Sequence, residues 1–351
     1  MKRYLWIFAV LPFLWSCIAE DSSACPQPRG VSVRMSVCPD PMTAVPRAAD
    51  EEALRDLNFY LLDADGNVVQ HRYQSSPTLR FECLPGNYLL RIAANMGRDT
   101  GDSPAWENLA VTHADDYDTL PMAYEGEVSI PSSDETVTLP TVEVQRVVAK
   151  VTYNISVAPD AGDIRLHSVQ PVNLPARMPV FDPGLRAAEY TAGEIVGSSS
   201  QTLTGTFYML PNLQGEVPSI ADQRDKGPAN APADATFLRI RALRGSKVLD
   251  YYIYPGGNNT SNFDIRANTH YRLDIMIRGD AEVDTRIRAY TVEVLCTPEA
   301  ALSNGFLLER QPMRLTLRLG GAYEETGVEA FVELKTGDVR YFGFEGQWGA
   351  V

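Results

Sequence analysis

Val147-Val148-Ala149-Lys150-Val151-Thr152-Tyr153-Asn154-Ile155-Ser156-Val157 is the most regular stretch of the chain. Val147, Ala149, Val151, Tyr153, Ile155 and Val157 fall on one side of an extended backbone, and Val148, Lys150, Thr152, Asn154 and Ser156 on the other. Side chains alternate across a strand with a period of two, so this pattern predicts a long strand with one buried face and one wet face.

The same period recurs on either side of it. Upstream, Val31, Val33, Met35 and Val37 alternate with Ser32, Arg34 and Ser36. Phe59 to Leu62 enters the turn Asp63-Ala64-Asp65-Gly66-Asn67 and leaves through Val68 and Val69, a hairpin signal because Gly66 can take a left-handed conformation. Leu79, Phe81 and Cys83, the turn Pro85-Gly86-Asn87, and Tyr88, Leu90, Ile92 and Ala94 predict a second hairpin. Val137 to Val144 predicts a strand or a pair of short ones. Between these, Asp50, Glu51 and Glu52 with Ala53, Leu54 and Leu57 predict a short helix, its acidic groups suiting the positive end of the helix dipole.

Downstream, residues 158 to 200 are rich in proline, glycine and alanine, with a strand near His167. Thr202 to Leu210 predicts another strand. Leu238, Ile240 and Ala242 turn at Gly245 and return through Leu249, Tyr251 and Ile253. Tyr271 to Ile277, Ile287 to Leu295 and Met313 to Leu319 are further strands, and Val328 to Leu334 with Val339 to Phe344 predict a closing hairpin. Many short strands with almost no helix predict an all-β chain of two antiparallel β-sandwich domains. A parallel α/β fold would need crossover helices that the pattern lacks. Because Arg146 opens a new long strand, the domains are placed at 31–145 and 146–351, joined by a short, strand-like link.

The N-terminus predicts export. Lys2 and Arg3 precede the run from Tyr4 to Trp15, which is shorter than the roughly 20 residues of a spanning helix. Leu14-Trp15-Ser16-Cys17 resembles a bacterial lipobox, making 1–16 a lipoprotein signal peptide, Cys17 the lipidated first mature residue and 17–30 a tether. Lipid chains contribute about 0.8 kcal/mol per buried methylene, enough to hold the protein on a membrane. Glu20-Asp21-Ser22-Ser23 resembles the acidic tethers of surface lipoproteins of the Bacteroides group, which points to the outer membrane.

Charge and chemistry narrow the function. The chain has 31 basic and 45 acidic residues, and without Lys2 and Arg3 the formal charge is -16. Such a surface repels phosphate backbones, so nucleic acid is not an expected partner. His71, His113, His167 and His270 are scattered singly, no two cysteines stand two residues apart, and no metal site is expected. Among the cysteines other than Cys17, Cys25 and Cys38 are the one close pair, and whether they bridge is open. An EF-hand loop opening at Asp63 would need glycine at its sixth position and glutamate at its twelfth, where Val68 and Gln74 stand. Asp115, Asp116 and Asp118 read as a solvated loop. No nucleophile elbow, dinucleotide fingerprint or Walker loop is present, so no catalytic residue and no cofactor is expected.

Several segments together carry a resemblance. Besides the lipobox and the strand at 31–37, they are Pro46-Arg47-Ala48-Ala49-Asp50-Glu51-Glu52 and Leu57-Asn58-Phe59-Tyr60-Leu61-Leu62-Asp63-Ala64-Asp65-Gly66. Leu84-Pro85-Gly86-Asn87-Tyr88 with Ala94-Asn95, the pair Met122 and Tyr124, and Arg146 to Val151 follow. The last are Phe207-Tyr208-Met209-Leu210-Pro211-Asn212-Leu213-Gln214-Gly215 and Asn262-Phe263-Asp264-Ile265-Arg266-Ala267-Asn268-Thr269-His270-Tyr271. In order and spacing the chain resembles the fimbrillin superfamily of the Bacteroides group, with its lipid-anchored minor and anchor subunits, over residues 17 to about 280.

That resemblance implies two transthyretin-like sandwiches and a structural role in building or tethering a cell-surface fimbria, with other fimbrial subunits as partners. In polymerising members an arginine-specific protease cuts behind the first strand, which then leaves a groove for a strand of the next subunit. Here the cut would follow Arg47, in a segment too proline-rich for regular structure, and Val31 to Val37 would leave. Phe331, Leu334 and Tyr341 would be groove-filling residues of a C-terminal donor. An uncut, lipid-retaining anchor is equally compatible with the resemblance. A different class of reading is a surface lipoprotein that binds a glycan, a host or bacterial surface ligand, or another envelope protein through its loops, using aromatic residues such as Trp106, Tyr117, Tyr124, Tyr251, Tyr252, Tyr254 and Trp348.

Overall fold

A computed structural model of the chain describes residues 29–40, 49–182, 184–198, 200–245, 247–279, 284, 286–298, 312–321 and 328–333. In its first part lie β1 (Val31–Pro39), β2 (Leu57–Leu62), β3 (Val68–Gln74), β4 (Thr78–Cys83), β5 (Gly86–Ala94), β6 (Ala110–Thr112), β7 (Met122–Ile130), β8 (Val137–Thr138) and β9 (Val142–Arg146). Alternation in β1 works as the sequence requires: Val31, Val33, Met35 and Val37 are buried while Ser32 and Arg34 face water.

Hydrogen bonds join eight of these strands into one sheet, ordered β3-β2-β5-β7-β9-β1-β4, with β8 also on β1. β2 and β4 stand far apart in that order, yet Phe59 of β2 meets Phe81 of β4 with ring centroids 4.8 Å apart. The sheet therefore curls back on itself, and both limbs bury their apolar faces in one core that includes Val33, Met35, Phe59, Leu61, Leu79 and Ile92. Burial of each large apolar side chain contributes about 1.5–3 kcal/mol, which makes this core the main force holding the limbs together.

Two local expectations give way here. The short helix is a single 3-10 turn, Ala49–Glu52, and Leu57 begins β2 instead. The hairpin expected over 79–94 does not form either, since β4 pairs with β1 while β5 pairs with β2 and β7. Alternation tells which face of a strand is buried but not which neighbour it meets. Gly66 takes φ 81° and closes the real β2–β3 hairpin, whereas Gly86 is not among the glycines with positive φ. With Pro85 lacking an N–H, the 84–86 corner carries the chain from one limb to the other.

The second part holds β10 (Ala149–Val157), β11 (Arg165–Val172), β12 (Leu174–Pro175), β13 (Arg177–Pro179), β14 (Tyr190–Thr191), β15 (Val196–Gly197), β16 (Thr202–Met209), β17 (Phe237–Arg244), β18 (Lys247–Ile253), β19 (His270–Ile277), β20 (Ile287–Pro298), β21 (Pro312–Gly321) and β22 (Val328–Glu333). A three-stranded sheet, β16-β10-β19, faces a seven-stranded sheet, β15-β11-β17-β18-β20-β21-β22. Tyr153, Ile155 and Ile277 from the first pack with Leu166, Val169, Leu238, Ile240, Leu249 and Tyr251 from the second. The β17–β18 hairpin turns at Gly245, φ 58°, as the pattern predicts.

The sheets are mixed rather than purely antiparallel. β10 runs parallel to β19 over eight residue pairs, Lys150↔His270 to Val157↔Ile277, and β1 runs parallel to β8 and β9. A parallel pair requires a long return path, not a helix, and strands and loops supply it here. Only Val147 and Val148, both buried, separate β9 from β10. The hairpin expected over residues 336 to 338 lies outside the described residues.

Candidate assembly site: strand β1 and its clamp

β1 is held on both sides. Along one edge it pairs antiparallel with β4, from Val31↔Cys83 to Ser36↔Thr78. Along the other it meets β8 at Val33 and Arg34, then β9 from Val37↔Val142 to Pro39↔Val144. Its four inward side chains are at most 4 % exposed. Taking this strand away would unpair backbone groups on both flanks and bare an apolar groove lined by Leu79, Phe81, Val142 and Val144. Both losses are costly, and an incoming alternating strand would reverse both.

A polar cluster closes the C-terminal end of β1. Val142, Val144 and Arg146 occupy the inward phase of β9, so the strand's alternation drives a guanidinium inward, where it is 1 % exposed. Arg146 Nη1 donates to the Asp40 carbonyl at 3.0 Å and to Asn268 Oδ1 at 3.3 Å. Its Nε and Nη2 donate to the Glu51 carbonyl at 3.2 and 2.9 Å. Asn268 Nδ2 donates to Asp40 Oδ2 at 2.8 Å, and the Asp40 N–H donates to the Val144 carbonyl at 2.8 Å. One buried cation thus touches the chain on both sides of residues 41–50.

Glu51 docks against the three-stranded sheet. Lys150 stands opposite Tyr208 on β16 and opposite His270 on β19. Glu51 Oε1 accepts from Lys150 Nζ at 2.6 Å and from the Tyr208 hydroxyl at 2.7 Å. Burial pushes the Glu51 carboxyl up, but these two hydrogen bonds and the charges of Lys150 and Arg146 hold it below its ordinary value. Burial and the bond to Glu51 push the Tyr208 hydroxyl up. The expected helix-dipole role of Glu51 is replaced by this ion pair. Arg146 could have been found from sequence as a charged residue on the apolar phase of a strand, whereas nothing local marks Glu51.

Of the residues singled out in the sequence, Cys17, Cys25, Arg47, Leu334, Tyr341 and Trp348 lie outside the described residues. Phe331 lies on β22, paired across from Arg314 of β21 at the end of the seven-stranded sheet. Cys38 and Cys83 are free thiols. Tyr251, Tyr252 and Tyr254 are buried, and Trp106 is half-buried with the Arg91 guanidinium 4.5 Å from its ring centroid. Among the described residues, no group of three or more His, Cys, Asp and Glu side chains could hold a metal ion.

The fold and this strand site define an all-β protein of several curled and packed sheets, with an inner first strand clamped at its exit. Residues 207–275 match a family described as a domain of unknown function (DUF4906). That span contains both 207–215 and 262–271, and the two segments are tied by the Phe263 N–H on the Gly215 carbonyl at 2.9 Å and the Gly215 N–H on Asp264 Oδ1 at 2.7 Å. No curated protein matches the chain by sequence.

Among solved structures, the chain is similar to a proposed cell adhesion protein from Bacteroides eggerthii, with 12 % identity, a TM-score of 0.51, and coverage of 84 % of this chain and 96 % of that one. It is also similar to the tip fimbrial protein Mfa3 from Porphyromonas gingivalis with C-terminal truncation, at 16 % identity, a TM-score of 0.49, and coverage of 83 % and 99 %. A third is a fimbrilin from Porphyromonas gingivalis, at 12 % identity, a TM-score of 0.48, and coverage of 74 % and 96 %. The likeness to the Bacteroides eggerthii protein, at 12 % identity, is one of fold.

Proposed function

We propose that the protein is a structural, non-catalytic subunit of a cell-surface fimbria, brought to the outer membrane on lipid at Cys17 and, once cut behind β1, assembled by strand exchange. The observation that carries this reading is β1, an inner strand with four buried side chains and partners on both edges. Its departure creates a groove that only another alternating strand fills well. Residues 31–145 and 146–351 are the two transthyretin-like sandwich domains of this reading, Arg47 is the processing site, and the C-terminal segment bearing Phe331, Leu334 and Tyr341 is the donor. The glycan-binding alternative depends on a flat row of exposed aromatic rings, and the burial of Tyr251, Tyr252 and Tyr254 counts against it.

Mass spectrometry of the N-terminus in assembled filaments tests the reading. A mature chain beginning at Ala48 is expected for an exchanging subunit. A lipidated Cys17 in every filament-associated copy would instead make the protein an uncut anchor, and absence from filaments would remove the fimbrial reading altogether.

A further inference from the structure

We propose that Arg146 and Asn268 form a latch that keeps β1 seated after the chain is cut behind it, so that release of the strand is set by the latch as well as by the cut. The proposal rests on the reading of β1 as the exchangeable strand. Asp40, which follows β1, is held through three of its groups at once: its N–H by the Val144 carbonyl of β9, its carbonyl by Arg146 of the same strand, and its carboxylate by Asn268 at the entry to β19. On the far side of residues 41–48, the Glu51 carbonyl takes two bonds from the same guanidinium, and its carboxylate takes bonds from Lys150 and Tyr208. Cutting anywhere in 41–48 breaks one covalent link and none of these contacts.

The latch joins parts of the chain far apart in sequence. Asn268 adopts φ 51°, a left-handed conformation that asparagine tolerates better than most residues, while its N–H donates to the Val148 carbonyl at 3.0 Å. The turn holds its amide toward Asp40 and Arg146. Because Arg146 is buried, its bonds are charge-assisted in a water-poor setting, where such bonds are strongest. β1 is therefore retained by the second part of the molecule as well as by its own groove.

Asn268→Gly isolates the effect, since glycine accepts the left-handed backbone without strain and removes only the side chain. Hydrogen–deuterium exchange of the uncut full-length chain is expected to show β1 amides exchanging about tenfold faster in Asn268→Gly, the size of effect that losing a hydrogen bond to a charged group produces. Amides of β2 and β5 should be unchanged. Equal β1 exchange in both proteins would overturn the latch. After digestion with an arginine-specific protease, size exclusion should find the fragment ending at Arg47 retained by the wild type and lost faster from Asn268→Gly. Equal loss from both also overturns the latch while leaving strand exchange intact. Loss from neither, even against an excess of a synthetic peptide of the β1 sequence, overturns the exchange reading itself.

Discussion

Glu51 and Arg146 show how much a single pair of residues decides at the exit of β1. The groups facing the Glu51 carboxyl are Lys150, Tyr208, Arg146 and, further off, His270, with Asp116 beyond Tyr208. Its folded value lies below the ordinary 4.5. A carboxyl depressed by folding contributes stability that is fully present above the unfolded value and is lost as pH falls through the folded one. Glu51→Gln is therefore expected to lower the urea midpoint at neutral pH, with the difference from wild type closing as pH falls below 4.5. A pH-independent difference would contradict the ion-pair assignment. Arg146→Met leaves the Asp40 and Glu51 carbonyls without their buried donor and should cost about 3 kcal/mol, read as a shifted midpoint with unchanged slope. From sequence, Arg146 reads as opening the long strand, whereas it ends β9 and β10 begins at Ala149. Its long-range pairing with Glu51 was not legible at all, because the two stand 95 residues apart.

At the scale of elements, β1 offers a direct check on register. Val33 is 0 % exposed, and truncating it removes two methyl groups from a closed core. Val33→Ala should cost about 2 kcal/mol, while Ser32→Ala, one residue away on the wet face, should stay within about 0.5 kcal/mol. Comparable losses at both positions in thermal unfolding would mean that the strand is not half-buried as described. The alternation of β1, β10 and the β17–β18 hairpin was legible because period and turn chemistry are local properties. The β4–β5 connection was not, since a strand buries the same face whether its neighbour precedes or follows it in the chain.

In the proposed reading the tether and the exchangeable strand fall in one short N-terminal region of the sequence, so anchoring and assembly would compete for the same residues. Cys17→Ser is expected to move the protein from the membrane fraction to the soluble fraction or to stall its export, as read by fractionation and immunoblotting. Unchanged membrane retention would refute lipid anchoring at that position. The formal charge of -16 without Lys2 and Arg3 adds no attraction to anionic lipid headgroups, so under the proposed lipidation the acyl chains would do the holding.

The sequence by itself determined that the chain is built of half-buried strands, where most of them run, which side chains they bury, and that hairpins close at Gly66 and Gly245. These follow from the two-residue period and from backbone conformations set within a few residues. Only the tertiary structure decided that β10 lies parallel to β19, that the first sheet curls until Phe59 meets Phe81, and that Arg146 joins Asp40, Glu51 and Asn268 at one point. Pairing partners are chosen by the packing of whole faces and by the need to satisfy buried polar groups, and both sum over residues that are distant in the chain.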